Sequence, residues 1–323
     1  MRLPAKLWSL VLLCAFGITA PRLIAADDAA SLLASGHADQ AIASLEKTVS
    51  ASGHDAASYN LLCRAYYSIE NWDRGVAACE KAVSLAPNNS MYHLWMGRAY
   101  GEKADHAGMF SAMSLAKKVH IEFETAIKLD SNNLEARGDV SEYYVQAPGM
   151  VGGGIDKAEA QAQALEKTNP AKAHWIRGRI AEKKKDTDLA EKEYRAAIQA
   201  HDGSDTWLDL ASFYRRNSRW DAMEDAINHA TSGKVDPPEA LMEAGETLLR
   251  AGRNLPKAAE LVRQYLNSGH LVEEAPACKA HFVLGSILEK QGDKKGAAQE
   301  YSAALALAKG YSPAQKALDR VNH

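Results

Sequence analysis

The sequence predicts an all-α fold, an α-solenoid of antiparallel helix pairs. Three observations carry that prediction. Apolar residues recur at spacings of three and four along most of the 323-residue chain, the period that places them on one face of a helix. The same double stripe repeats, starting at residues 22, 56, 90, 134, 171, 204, 238 and 278, and the first two intervals are 34 residues each. A small residue, as at Gly97, Gly178, Gly245 and Gly285, recurs at one slot of the stripe, where it lets two helices approach closely while large neighbours fill the space beside it. A single helix pair leaves one face apolar, so the units must stack.

Composition agrees with a packed array. Hydrophobic residues make up 46% of the chain and charged residues 24%, which excludes a disordered polyampholyte. A net charge of −3 supplies no basic excess for a phosphate backbone, so a dedicated nucleic-acid binder is not expected. Length alone would suggest about two domains, but a repeat array has no fixed size and reads as one continuous body.

Residues 1–26 read as a secretory signal peptide. Arg2 and Lys6 start it, Leu7 to Ala20 carries no charge, and small residues at Ala25 and Ala26 precede Asp27. The uncharged run would cover about 21 Å as a helix, short of a hydrocarbon core of about 30 Å. Cleavage near Ala26 removes Arg2, Lys6 and Arg22 and no acid, taking the charge from −3 to −6. The product is expected to be exported, periplasmic or secreted, with no membrane span.

Residues 27–311 hold about eight repeats. In the unit from 56 the stripe is Tyr59, Leu62, Cys63 and Tyr66, then Gly75, Cys79 and Ala82, ending at Pro87. The third unit carries about ten extra residues around Gly101 to Lys118, with Met109, Phe110, Met113 and Leu115 clustered there. We expect these to pack into the unit's own core, a partner-binding ledge being the alternative. The fourth unit contains Ala147 to Gly154, where Pro148 and three consecutive glycines require a loop. The fifth gives Gly178, Ala190, Tyr194 and Ala197, the sixth Trp207, Leu210, Ala211 and Tyr214, and the last His281, Leu284, Gly285 and Leu288 before Ala297, Tyr301 and Ala304. Residues 312–323, with Pro313 in the first turn, read as a solvating C-terminal cap helix. Seven of the 12 tyrosines occupy large-residue slots, where the ring packs and the hydroxyl can reach the edge.

The stripe, its 34-residue spacing and the Gly292-Asp293 and Trp72-Asp73 turns resemble the tetratricopeptide repeat family over essentially the whole mature chain, as in exported bacterial members. The resemblance implies a non-catalytic scaffold that holds a protein or peptide partner in a concave groove lined by the first helix of each pair. An accessory subunit of a cell-envelope assembly or secretion complex is the first alternative, and an enzyme with an unrecognised site is the remote second. Carried over by register, the groove slots hold Asn60, Arg64, Tyr67, Arg98, Trp175, Arg179, Lys183, Arg215 and Arg216, and then Glu239, Glu243 and Glu246. That gives a basic front with aromatics interleaved, suited to a carboxylate-bearing peptide, and an acidic later portion.

Catalytic patterns do not emerge, and no metal or cofactor is expected. The 11 histidines are scattered, without an H-E-x-x-H or C-x-x-C pattern. Ile155-Asp156 follows Gly154 where a P-loop needs Lys and Ser or Thr, and Glu142 to Gln146 reads as a helix end rather than a strand. No Gly-x-Ser-x-Gly elbow occurs, and the carboxylates read as lying on solvated faces. Cys63 and Cys79 fall at matching heights on paired helices. An oxidising compartment permits a disulfide, but helix axes about 8–10 Å apart often hold Cα atoms too far apart, so two packed thiols are the favoured expectation.

Overall fold

The computed structural model describes residues 21–323, with side chains from residue 28 onward. Most of the expected leader, residues 1–20, lies outside the described residues. The described chain is helical throughout. Its pairs are α1 (Pro21–Ala34) with α2 (Ala38–Ser52), α3 (Ala56–Ser68) with α4 (Trp72–Leu85), α5 (Ser90–Asp105) with α6 (Met109–Leu129) and α7 (Leu134–Gln146) with α8 (Ile155–Leu165). They continue with α9 (Pro170–Lys183) and α10 (Thr187–Ala200), α11 (Ser204–Arg216) and α12 (Trp220–Ala230), α13 (Ala240–Ala251) and α14 (Leu255–Asn267), α15 (Ala277–Lys290) and α16 (Lys294–Leu307), and then the single α17 (Ser312–Asn322).

Local chemistry fixes these boundaries. Asn89, Asn133 and Asn169 cap the first helices α5, α7 and α9 with their side-chain oxygens, and Asn71, Asp186 and Asp293 do the same for the second helices α4, α10 and α16. Within pairs, a methyl added at Gly97, Gly245 or Gly285 would fall 2.5–2.6 Å from Phe123, Val262 or Tyr301 respectively. The small slot therefore sets the helix spacing.

Successive first helices pack on one another: α3 on α1 and α5, α7 on α5 and α9, α13 on α11 and α15, and α15 on α17. Second helices make no comparable contacts with each other. A stack tighter along one row curves towards it, so the first helices form the concave wall. Tyrosines tie neighbouring units across the other edge. Tyr66, Tyr100 and Tyr144 donate to Glu46, Glu80 and Glu124 of the preceding unit at 2.6, 2.6 and 2.7 Å. Arg74, Lys118 and Lys157 from the same unit as each tyrosine lie over the three rings. The sixth unit repeats the arrangement with Tyr214, Glu191 and Arg219.

The two ends of the array meet. The Lys309 amide donates to Asp39 Oδ2 at 2.8 Å, across 270 residues. Gly36, at φ +79° in the turn between α1 and α2, lies so close to the start of α15 that a methyl on it would fall 2.6 Å from the Cys278 nitrogen. Cys278, Ala308, Tyr311 and Ala314 share one core cluster with residues of α1 to α9, and Tyr311 is fully buried. The solenoid thus closes on itself.

Two expectations are corrected. Met109 and Phe110 do not pack into their own unit but are 71% and 84% exposed. The extra residues extend α6 to 21 residues; its first turn is left open, and of the cluster only Leu115 packs against the core. Cys63 and Cys79 are not separate packed thiols: the structure joins them, with Cα atoms 5.1 Å apart, inside the disulfide window. Gly75, Ala78 and Cys79 on α4 are all small and let α4 settle directly against α3.

Candidate functional site

Three of the expected groove slots, Arg64, Tyr67 and Arg98, line a cavity of about 520 Å³ between the first helices α3 and α5 and the far end of the chain. Arg64, Tyr67, Trp95 and Arg98 stand on one side of this cavity, and Arg250, Glu273, Glu274, Pro276 and Lys279 on the other. The centre is the Trp95 ring, with the Arg64 and Arg98 guanidinium carbons each 4.8 Å from its centroid. Tyr67 meets Trp95 and Trp72 edge to face, at 5.5 and 5.4 Å, and donates from its hydroxyl to Glu102 at 3.1 Å.

The expected basic front is not net basic. Arg64 lies 2.5 Å from Glu273 and 4.0 Å from Glu274. Arg98 holds Asp139 at 2.6 Å and Glu135 at 3.0 Å, and Arg179 bridges Glu142 and Glu182. Arg216 donates twice to Glu182, at 2.9 and 2.8 Å. Each of these four arginines meets at least one carboxylate of a neighbouring unit or of the far end of the chain, which the residue types of one unit do not reveal. Asn60 is 5% exposed rather than open, and its Nδ2 has no hydrogen-bond partner.

The remaining slots differ. Lys183 is exposed and donates to the Gln146 carbonyl at 3.3 Å. The Arg215 Nε is buried without a hydrogen-bond partner, and its basicity is lowered by burial, Arg216 and Arg250. Trp175 donates to Asp209 at 2.9 Å while the Lys172 ammonium sits 3.8 Å from its ring centroid.

The carboxylates of the later portion are not all simply solvated. Burial pushes Asp209 up to about 6, opposed by Lys172 and reinforced by Asp205. Glu243 rises to about 7 through desolvation and the nearby charges of Asp209 and Glu246. Its side chain still reaches solvent, so it occupies a concavity where surrounding protein, more than bulk water, sets its environment. Sequence reasoning placed Glu243 in the groove but missed Asp209, whose only signal was its position between Trp207 and Leu210 of the sixth unit's stripe.

Histidines form ties within pairs. His93 to Glu122, His174 to Glu193 and His281 to Glu300 span 2.6–2.7 Å. The His93 pairing raises its basicity, chiefly through the Glu122 hydrogen bond. Among the described residues, no group of three or more His, Cys, Asp or Glu side chains is arranged to hold a metal ion, and no helix is long and apolar enough to cross a membrane.

Family models described as tetratricopeptide repeat match residues 32–99 in one case, and 150–205 and 248–312 in another. No curated protein matches the chain. Among solved structures, a thermophilic tetratricopeptide repeat protein from Thermus thermophilus is 14% identical, with a TM-score of 0.44, covering 70% of this chain and 98% of its own. A tetratricopeptide repeat protein from Parabacteroides merdae is 12% identical at a TM-score of 0.42, covering 83% and 99%. YrrB, described as having an unusual peptide-binding site, is 18% identical at 0.37, covering 61% and 95%.

Proposed function

This chain belongs to the tetratricopeptide repeat family, and from that premise we propose that it is a non-catalytic scaffold whose concave wall holds a protein or peptide partner. One observation carries the reading: Arg64, Trp95 and Arg98 stack on the wall of a cavity of about 520 Å³, with Tyr67 at their edge. Arginine and aromatic side chains in a partly desolvated concavity have the composition of an interface anchor. Export to an oxidising compartment is part of the proposal, and the Cys63 to Cys79 bond supports it.

The exposed Met109 and Phe110 favour a second reading, an accessory subunit of a cell-envelope assembly or secretion complex, because they offer an apolar contact outside the groove. A photo-crosslinking amino acid at Tyr67, Trp175 or the exposed Lys192 of α10, in the native envelope, tests the main reading. The two concave positions should capture one discrete protein that Lys192 does not. Equal labelling from all three would contradict it.

A further inference from the structure

The connection between α14 and α15 makes a turn from Val272 to Ala275, closed by the Ala275 amide donating to the Val272 carbonyl, and places Glu273, Glu274 and Pro276 in the lining of the cavity. Tyr265 holds it at both ends, accepting from the Val272 amide at 3.0 Å and donating to the Ala275 carbonyl at 2.6 Å. Its two carboxylates, Glu273 and Glu274, meet Arg64 at the groove slots of α3. The chain therefore places its own acidic segment where the concave wall offers a cation.

The fit is poor in polar terms. Arg64 Nε and Glu273 Oε1 pair with one another at 2.5 Å, but the donors around them are not matched. Asn60 stands one helical turn before Arg64, 95% buried, with its Nδ2 donor unpartnered. Trp95 Nε1 is unpartnered as well, and so is an oxygen of Glu239, whose carboxyl feels the Glu274 charge. Unmatched buried polar atoms are rare and costly. At this seam two buried donors, Asn60 Nδ2 on α3 and Trp95 Nε1 on α5, lack an acceptor.

We propose that Glu273 to Pro276 is a displaceable internal ligand, and that the site it covers takes a peptide bearing adjacent carboxylates. Such a peptide would supply the aligned acceptors that the tethered segment does not, and it would have to expel that segment to bind. The inference rests on the concave-face reading and adds the partner's chemistry and a self-blocking contact.

The test uses the full chain and a fluorescent peptide of the segment's own sequence, LVEEAPA, with LVQQAPA as control. Glu273→Gln with Glu274→Gln is isosteric and removes the internal competitor's charge. Tyr265→Phe releases the tether and leaves the arginine site intact. Each variant should bind LVEEAPA about tenfold or more tighter than the unmodified chain, a difference of about 1.4 kcal/mol. LVQQAPA should bind none of them, and adding Arg64→Gln to the double variant should abolish binding. Equal affinity for unmodified and released chains, no binding at millimolar peptide, or binding that survives Arg64→Gln would overturn the proposal. Capture from Trp175 without peptide binding would leave the concave-face reading standing and remove only this inference.

Discussion

Replacing Gly245 with Ala tests whether the small slot sets the spacing between paired helices. The new methyl would lie 2.6 Å from Val262 Cγ2 and 3.1 Å from the Ala258 carbonyl oxygen. The second contact is backbone, so rotating Val262 relieves only part of the clash and α14 must shift. Overpacking of this kind costs about 1–3 kcal/mol, and the better helix propensity of Ala returns about 1 kcal/mol. The expected net effect is a loss of about 1 kcal/mol. Gly101 is the control, since its methyl would approach only Val119 Cγ2, at 4.0 Å; Gly101→Ala should therefore stabilise by about 0.5 kcal/mol. Urea unfolding of the full chain followed by far-ultraviolet circular dichroism measures both. Val262→Ala should cost less in the Gly245→Ala background than alone, because the vacated space receives the methyl. If Gly245→Ala matched or exceeded the unmodified chain in stability, the spacing argument would fail.

Further predictions concern the ties between and within units. Tyr100→Phe removes the hydroxyl that donates to Glu80 and should cost about 1–2 kcal/mol in the same urea assay, as expected for a hydrogen bond to a charged group. Asp209, Glu243 and Glu273 are raised to about 6, 7 and 7 by burial. Their folded values lie above the unfolded ones, so the stability they contribute is complete at low pH and is lost as pH rises through 6–7. Glu191 is held at about 2, and its contribution, present above the unfolded value, is lost as pH falls towards 2. The melting temperature should therefore peak near pH 5, and Glu243→Gln should flatten its decline between pH 5 and 8. Reducing Cys63 and Cys79, which close a loop with a sequence separation of 16, should cost about 3 kcal/mol; full iodoacetamide labelling of both without reductant would refute the bond.

What the sequence made legible was whatever recurs within a unit. Helix starts at Ala56, Ser90 and Leu134 follow from apolar periodicity and the capping side chains of Asp55, Asn89 and Asn133, and both act over a few residues. The tyrosine hydroxyls do reach partners, and the partners were visible as a glutamate 20 residues before each of Tyr66, Tyr100 and Tyr144. That signal emerges only once the stacking of units is known. The charge balance at the arginines was not legible, because the answering carboxylates lie about one repeat away: Arg216 to Glu182 spans 34 residues, Arg179 to Glu142 37, and Arg98 to Asp139 41. Contact between the ends was not legible at all. It depends on a small rotation accumulated over every unit interface, and no single pair of residues encodes it.

Closure of the array is the central claim, since it makes the concave wall the lining of a cavity and brings Glu273 to Arg64. Spin labels at Asp39→Cys and Lys309→Cys measure it by pulsed electron resonance, because the backbone of one residue touches the side chain of the other. A single narrow distribution at the short limit of the method is predicted. A broad or long distribution would mean that the solenoid is open in solution and would contradict the account.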